Sequence, residues 1–283
     1  MIGYFVNSAL SAKVPFDLAA SALAVIAFFK DLKQQIYWRV RRVFALNPLT
    51  VSFAQAAAHA ARSKEEDLRG IQNVLSLCPK HKVVFDIGAN CGFWSRYLIE
   101  AGFDGQLYLF EPIPHLLSLA ARNLSDCNVV KVFVNAAAGH SDGTLEFALP
   151  TDGNIGWITP VLAKADKDSV LMTFAMCDIS KWVARCQPTL IKIDVEGFEP
   201  YLLNCVLQNL NERYLPTFLV ELGWGIGNPS WRLLIEAAEA LSLLGYYFCT
   251  ASDKRILSID ELKNLEQTLD VIIHHPASST SAA

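Results

Sequence analysis

The chain has 283 residues, of which 52% are hydrophobic and 18% charged, and its formal net charge is −4. This composition excludes an intrinsically disordered chain and lacks the basic excess of a general nucleic-acid-binding protein. The seven cysteines are odd in number and form no C-x-x-C, so they predict neither a disulfide framework nor a zinc site. We therefore expect a globular protein of the reducing cytoplasm without a nucleic-acid partner.

Residues 1–62 are alanine-rich and predict a helical N-terminal extension. Their longest apolar run, residues 18–29, is 12 residues long, whereas a transmembrane helix needs about 20. Seven Lys or Arg against two Asp give this segment a formal charge of +5, which leaves −9 for the remainder of a chain of net charge −4. Two interpretations remain open: peripheral contact with an anionic membrane or a partner, and packing of a helical appendage on the main domain.

From residue 63 to residue 275, short apolar runs alternate with helical patterns. Ser63, with Glu66 three positions later, predicts a capped helix over residues 63–80. Continuous hydrophobicity is typical of strands buried on both faces, and it occurs in residues 83–87, 107–110, 129–134, 190–195, 218–222 and 271–274. Helical patterns lie between them, in residues 94–101, 115–123, 200–209 and 231–244. This alternation predicts an α/β fold with a doubly wound, mostly parallel sheet.

Residues 143–178 interrupt the alternation. They predict a hairpin over residues 143–149, a polar loop and a further strand over residues 170–176. The last segment, residues 276–283, is small and polar, and we expect it to be disordered. The predicted organisation is thus an extension (1–62), a main domain (63–275) and a tail (276–283).

The first predicted strand runs into the segment DIGANCGFWS, residues 86–95. Gly88 and Gly92 permit a tight turn and a close approach of the backbone to a ligand. The helix that begins near Phe93 offers free N–H groups. The segment is not G-x-G-x-x-G and has no P-loop Lys-Ser/Thr. The carboxylate of Asp86 instead suits a ligand with an amine, although an ordinary strand–helix turn is the alternative.

Glu111 follows the second predicted strand, 23 residues after Gly88. An acidic side chain at this place can accept hydrogen bonds from both hydroxyls of a ribose. A solvated strand-end glutamate is the alternative. Together, Asp86 and Glu111 favour S-adenosylmethionine over NAD as the cofactor.

Four strings of the sequence, DIGANCGFWS, FEPIPHLLSLAARNL, NAAAG and IKIDVEGFEPYLL, occur in this order. With them, the chain resembles the FkbM-type methyltransferases over about residues 65–275. The resemblance implies a Rossmann-like class I methyltransferase fold, S-adenosylmethionine as cofactor, and O-methylation of a sugar or polyketide hydroxyl. One departure is residues 174–178, where the family pattern leads us to expect a leucine before Asp178.

The resemblance also implies roles for individual residues. The loop that binds the methionine end of the cofactor would comprise Asp86, Gly88, Ala89, Asn90 and Gly92, and Ser95 would add a hydroxyl contact. Glu111 would hold the ribose, and Asn135 and Ala136, after the third strand, would lie against the adenine.

Three carboxylates, Asp194, Glu196 and Glu221, follow the later predicted strands. Because burying charge is costly, apolar strands that end in carboxylates indicate chemistry. One carboxylate would be a general base for a hydroxyl proton, or the group would hold a divalent cation. The structural alternative is ion pairing with Lys192 or helix capping by Glu196 and Glu199. We predict Asp194, Glu196 and Glu221 as catalytic residues and do not assign a metal site.

The sequence therefore predicts a cytoplasmic S-adenosylmethionine-dependent O-methyltransferase for a small-molecule or glycan hydroxyl. The alternatives are a non-catalytic cofactor-binding adaptor of the same fold and an NAD-dependent oxidoreductase. Trp157 and Trp224 are either stacking platforms for a sugar or core residues. His274 and His275 are adjacent on a strand and so face opposite sides, which favours a structural role.

Overall fold

The computed structural model describes residues 49–77, 81–149, 159–160, 170–223 and 225–279. These residues belong to one compact unit, Leu46–Ala283. The expectations for residues 1–48, for Trp157 and Trp224, and for residues 280–283 lie outside the described residues. The first part of the predicted disordered tail is instead ordered, since Pro276–Ser279 form a short 3-10 helix and the Ser278 hydroxyl donates to the carbonyl oxygen of Leu215 at 2.6 Å. Among the described helices, none combines the length and apolarity that crossing a bilayer requires.

The strands and helices are numbered in chain order. The strands are β1 (Val83–Ile87), β2 (Gln106–Phe110), β3 (Val130–Val134), β4 (Ala137–Gly139), β5 (Gly143–Leu149), β6 (Thr159–Pro160), β7 (Val170–Asp178), β8 (Leu190–Ile193), β9 (Thr217–Leu222), β10 (Tyr247–Thr250), β11 (Ile256–Leu257) and β12 (Leu269–His274). The helices are α1 (Phe53–Ala60), α2 (Lys64–Leu77), α3 (Phe93–Glu100), α4 (Pro114–Asn123), α5 (Ile179–Cys186), α6 (Glu199–Leu207), α7 (Trp231–Leu243) and α8 (Ile259–Lys263).

The main sheet has eight strands in the order β3-β2-β1-β8-β9-β12-β10-β11. The first five strands in this order, β3, β2, β1, β8 and β9, are parallel to one another. The remaining three, β12, β10 and β11, extend the sheet with antiparallel pairing. The predicted α/β fold with a doubly wound, mostly parallel, Rossmann-like sheet is confirmed. The strand order reverses between β1 and β8, and folds of this class bind ligands at the carboxyl ends of the strands there.

Both faces of the main sheet are buried, as the continuous apolar runs predict. Along β1, Phe85 and Ile87 pack on the side of α5, α6 and α7. Val84 points to the other side and packs with α2, α3 and α4. The core thus lies in two layers, and the strand ends, where the apolar runs stop, are the places left for polar side chains.

A second sheet of four strands, in the order β4-β7-β5-β6, accounts for the interruption at residues 143–178. The sequence predicts a hairpin over residues 143–149, but these residues form the single strand β5. This strand pairs antiparallel with β7 over its full length, from Gly143 opposite Met176 to Leu149 opposite Val170. Phe147 and Phe174 of this sheet pack on α1 and α4. The second sheet follows directly on the main sheet along the chain, because β4 begins three residues after β3 ends.

The described end of the predicted N-terminal extension packs on the main domain. Val51 is buried in a cluster with residues of α4 and the second sheet, and its carbonyl oxygen lies 2.7 Å from His115 Nε2. Phe53 stacks on Phe93 of α3 with ring centroids 5.8 Å apart. The boundary after residue 62 stays a prediction, but it falls after a helix that already contributes to this core.

Some local predictions differ from the structure. The strand predicted over residues 190–195 ends at Ile193, because the chain turns at the polar residues that follow. Ser63 does not close a capping box with Glu66, since its hydroxyl donates instead to the carboxylate of Asp67 at 3.0 Å. The strand β10 and the helix α5 are additional elements that the apolar runs did not predict.

Candidate active site

A cavity of about 380 Å³ lies at the carboxyl ends of β1, β2, β8 and β9. The loop after β1 and Glu111 line one part of it, and the residues that follow β8 line another, together with Glu221 of β9. The helices α1 and α2 add a wall. The cavity therefore occupies the switch point between β1 and β8, where the fold predicts a ligand.

The loop after β1 is built on left-handed backbone. Gly88 has φ +80° and Gly92 φ +71°, and Asn90, between them, has φ +48°. The N–H groups of Gly88 and Ala89 both donate to the carbonyl oxygen of Phe110 at 3.0 Å. Since non-glycine residues rarely adopt positive φ, the two glycines give the loop its shape. Gly88, Ala89, Asn90 and Cys91 of this loop line the cavity, whereas Gly92, also predicted to contact the cofactor, does not.

Asp86 and Ser95, two further residues predicted to contact the cofactor, lie behind this loop. Both are 0% exposed, and neither lines the cavity. The Ser95 hydroxyl donates to the Asp86 carboxylate, which also lies 3.3 Å from Lys192 Nζ. In this conformation a direct ligand contact is closed to both side chains, and they support the loop from beneath.

Glu111 lines the cavity directly after β2 and is buried. Its two carboxylate oxygens accept hydrogen bonds from the N–H groups of Asn90 and Ile113, each at 2.9 Å. Burial raises the pKa of Glu111 to about 7, against the opposing effect of these hydrogen bonds. A carboxylate has about four lone-pair sites, so two remain for hydroxyl donors of a ligand.

The residues after β3 lie beside Glu111. Asn135 is exposed, and its side-chain amide donates to the carbonyl oxygens of Glu111 and Pro112 at 3.0 Å. Ala136 is buried, whereas the next two residues, Ala137 and Ala138, line the cavity. Asn135 therefore positions the Glu111 segment. The apolar lining comes from residues one and two positions beyond those predicted.

Lys192 connects Asp86, at the end of β1, with Asp194, which follows β8. Its Nζ lies 2.9 Å from Asp194 and 3.3 Å from Asp86, and the residue is only 7% exposed. Burial acts to lower the pKa of Lys192, but the carboxylates of Asp194 and Asp86 raise it above its ordinary value. The lysine therefore stays charged, and the ion pairing proposed as the structural alternative for Asp194 is present.

The three carboxylates predicted to be catalytic converge. Asp194, Glu196 and Glu221 each offer an oxygen within 4.8 Å of the others, and all three line the cavity. The nearby Asp194 carboxylate, followed by burial, raises the pKa of Glu221 to about 10. Burial, followed by Asp194, raises the pKa of Glu196 to about 9. At neutral pH these two carboxyls therefore hold protons, while the charge of Asp194 is paired with Lys192.

Glu199 has a structural role, but not the helix capping considered from the sequence, because α6 begins after Phe198 without a side-chain cap. Its Oε1 accepts from the N–H groups of Val195 and Gly197 at 3.0 Å, and the residue is 1% exposed. Glu196 lies between these two residues with φ +52°. A strained backbone conformation at a non-glycine residue is typical of functional sites. Glu199 therefore stabilises the turn that directs Glu196 into the cavity.

Three more carboxylates line the cavity and were not predicted from the sequence: Glu66 and Asp67 of α2, and Asp270 of β12. Asp270 lies opposite Glu221 in the sheet register. It is open to the cavity, but the surrounding protein and the charge of Asp194 raise its pKa to about 7. Asp270 reaches the site through the antiparallel pairing of β12 with β9, and the sequence pattern did not indicate this pairing.

Two other residues considered from the sequence lie away from the cavity. His274 is buried, with its Nδ1 2.9 Å from the Thr217 hydroxyl, which agrees with the structural role expected for it. The Asp178 side chain accepts from the N–H of Ser180 and caps α5. Neither belongs to the lining of the cavity.

No protein-family model matches the chain, and no curated protein sequence matches it. Among solved structures, precorrin-6y C5,15-methyltransferase from Geobacter metallireducens is 15% identical, with 74% of this chain and 88% of that chain covered and a TM-score of 0.40. N-methyltransferase NodS from Bradyrhizobium japonicum is 9% identical, with 75% and 96% covered and a TM-score of 0.40. O-methyltransferase TomG from Streptomyces achromogenes, in complex with S-adenosylmethionine, is 9% identical, with 73% and 79% covered and a TM-score of 0.38. Likenesses this distant say nothing of what this chain binds or methylates.

Proposed function

We propose that this chain is an S-adenosylmethionine-dependent methyltransferase of the FkbM type that methylates a hydroxyl group. One observation carries the proposal. A single cavity at the switch point of the sheet joins a buried strand-end glutamate, Glu111, to the three carboxylates Asp194, Glu196 and Glu221. Glu111 suits the ribose of a cofactor, and the group of three carboxylates suits an acceptor that must lose a proton.

The cofactor half fits S-adenosylmethionine better than a dinucleotide. Glu111 has lone pairs left for ribose hydroxyls, and Ala137 and Ala138 add apolar lining that suits an adenine. The loop after β1 is followed by no lysine, and the nearest cation, Lys192, is held by two carboxylates. Among the residues that line the cavity, a pyrophosphate would therefore find no unpaired lysine or arginine. When bound, S-adenosylmethionine supplies an electrophilic methyl group on a positively charged sulfur.

The part of the cavity that contains the three carboxylates can take up the proton that the acceptor hydroxyl loses. An alcohol is a poor nucleophile until its proton leaves, and a positioned carboxylate typically contributes about 10²–10⁴-fold to such a step. Asp194 is the carboxylate that Lys192 keeps in place at 2.9 Å, so we assign it the role of base. Glu196 and Glu221, which hold protons at neutral pH, would donate hydrogen bonds that orient the acceptor oxygen.

A small-molecule or glycan acceptor is preferred to a nucleic acid. The net charge of the chain is −4, and the acceptor part of the cavity carries several carboxylates. A phosphate backbone would be repelled by this field.

The direct test is a thermal shift with S-adenosylhomocysteine and NAD side by side, because a ligand that binds only the folded state raises the melting temperature. We expect stabilisation by S-adenosylhomocysteine and none by NAD. Stabilisation by NAD alone would favour the oxidoreductase. A labelled methyl-transfer assay on fractionated glycans, lipids and small molecules then separates an enzyme from a cofactor-binding adaptor, since only the enzyme labels a fraction.

A further inference from the structure

The turn that carries Glu196 has an unusual backbone conformation. Glu196 has φ +52° and Gly197 has φ +98°, so two consecutive residues lie in the left-handed region. A glutamate keeps this disfavoured conformation only where the surrounding structure fixes it. Glu199 fixes one side of the turn, because its carboxylate accepts from the N–H groups of Val195 and Gly197. These bonds leave the carbonyl groups of the turn to other partners.

Asn228 is the partner of one such carbonyl group. Its Nδ2 donates to the carbonyl oxygen of Gly197 at 3.2 Å, and its Oδ1 accepts from the N–H of Ser230 at 2.8 Å. Asn228 is only 4% exposed, and its own N–H donates to the carbonyl oxygen of Gly225 at 2.9 Å. Each atom of the side-chain amide thus meets a complementary group. Asn228 therefore joins the segment before α7 to the turn after β8.

The segment that contains Asn228 also follows Glu221 along the chain, since Glu221 lies in β9 and β9 ends before this segment begins. Gly223, between the two, lies against the same turn, because a β-carbon built on it would be 3.8 Å from the Gly197 nitrogen. Asn228 does not line the cavity, whereas Glu196 and Glu221 do. An effect of Asn228 on an acceptor must therefore pass through the residues that it holds.

We propose, building on the function proposed above, that Asn228 is a positioning residue for the methyl acceptor. By holding Gly197, it fixes the backbone that directs the Glu196 carboxyl towards the acceptor oxygen, and it keeps this turn in place beside Glu221. A purely structural Asn228 would attach α7 to the core and stabilise the fold without distinguishing the acceptor from the cofactor. The positioning role instead predicts a loss at the acceptor while cofactor binding is kept.

Two matched variants test this role. Asn228→Asp keeps an oxygen that accepts from the N–H two residues further on, as aspartate commonly does in turns, but it has no N–H for the Gly197 carbonyl oxygen. Asn204→Asp is the control, because it removes the same kind of donor between α6 and α7 away from the turn. The Asn204 Nδ2 donates to the carbonyl oxygens of Pro200 and Leu233 at 2.8 and 3.3 Å.

Initial rates of labelled methyl transfer are measured at limiting amounts of the extract fraction that the wild type labels, and S-adenosylhomocysteine affinity is measured by calorimetry. We expect Asn228→Asp, and the simple truncation Asn228→Ala, to lower the rate by about tenfold or more, because a small misplacement of a reacting group is costly. Affinity for S-adenosylhomocysteine should stay nearly unchanged, and Asn204→Asp should alter neither quantity. Equal rate losses in the two Asp variants, or a matching loss of cofactor affinity, would overturn the positioning role.

Hydrogen exchange, followed by NMR, gives a second measurement that needs no acceptor. In Asn228→Asp the N–H groups of Val195 and Gly197 should exchange about fivefold faster than in the wild type, the size of one neutral hydrogen bond, whereas Asn204→Asp should keep the wild-type rates. Unchanged exchange in Asn228→Asp would overturn the inference for any acceptor. If the wild type labels no fraction, the proposed function fails, and the exchange of these two amides still decides whether Asn228 holds the turn.

Discussion

Gly88 lies so close to the backbone of Asp194 that a β-carbon built on the glycine would be 1.8 Å from the Asp194 carbonyl oxygen. The first residue belongs to the loop after β1, and the second follows the neighbouring strand β8. The N–H of Asp194 also donates to the carbonyl oxygen of Ile87 at 3.1 Å. The proposed base and the proposed cofactor loop are thus fixed to each other through the backbone.

This contact predicts that Gly88→Ala is damaging. The β-carbon would displace Asp194, and φ +80° alone disfavours a non-glycine residue by about 1–2 kcal/mol. We expect a loss of more than about 2 kcal/mol in the free energy of unfolding, with weaker S-adenosylhomocysteine binding. Gly102→Ala is the matched control, since Gly102 has φ +104° and nothing within 4 Å of the added carbon. Similar losses in both variants, measured by urea denaturation, would contradict the contact.

Glu111 is predicted to bind the cofactor. Replacing Glu111 with alanine removes acceptors for two ribose hydroxyls, and a hydrogen bond to a charged group is worth about 1.5–3 kcal/mol. S-adenosylhomocysteine affinity, measured by calorimetry, should fall at least about tenfold. The side chain also holds the N–H groups of Asn90 and Ile113, so the variant is compared at a temperature where circular dichroism shows it folded. Unchanged affinity would remove Glu111 from the site.

Asp194 is predicted to act as base. Asp194→Asn keeps the shape and removes the charge, so turnover should fall by about 10²-fold or more, while S-adenosylhomocysteine binding stays nearly unchanged. Both are measured on the same preparation with a confirmed acceptor. EDTA treatment distinguishes the cation alternative, because only a metal-dependent enzyme loses activity with chelator and regains it with magnesium or manganese. Near-normal turnover in the variant would exclude both roles.

The carboxylate cluster should make the fold less stable at high pH. The pKa of Glu221 is about 10 in the folded state and 4.5 in its ordinary state. Unfolding therefore releases a proton between these values, and the free energy of unfolding falls as the pH rises through them. Glu221→Gln should be more stable than the wild type at pH 9 by about 1 kcal/mol or more, and similar to it near pH 5. Parallel pH profiles of the two proteins in denaturant titrations would falsify this.

At low pH, buried histidine should limit stability. Burial lowers the pKa of His81 from 6.5 to about 4, so the unfolded chain takes up a proton that the folded chain refuses. Stability conferred by neutral His81 is complete above pH 6.5 and is lost as the pH falls towards 4, by about 3 kcal/mol. His81→Phe should flatten this part of the profile, whereas His140→Phe, at an exposed position, should not. Equal slopes in the two variants would show that other groups cause the acid sensitivity.

The strands of the main sheet and the position of the site along the chain could be predicted from the sequence. Continuous apolar runs predict strands buried on both faces, and β1, β2 and β9 lie where those runs are. Gly88 and Gly92 mark the loop after β1, because left-handed backbone favours glycine. Glu111 could be singled out since an isolated acid after an apolar strand stands out. These signals are local, so they can be read without knowing which segments meet.

Which polar side chains face the cavity depends on the packing of the whole chain and could not be predicted from the sequence. The sequence predicts Asp86 as a ligand contact, whereas Lys192 and Ser95 hold it behind the loop. Asp67 and Asp270 come from widely separated segments, and only the packing of α2 against the sheet and the antiparallel pairing of β12 bring them to one cavity. Partner choice among charged groups depends on long-range burial and Coulomb energy, which hydrophobic periodicity does not encode.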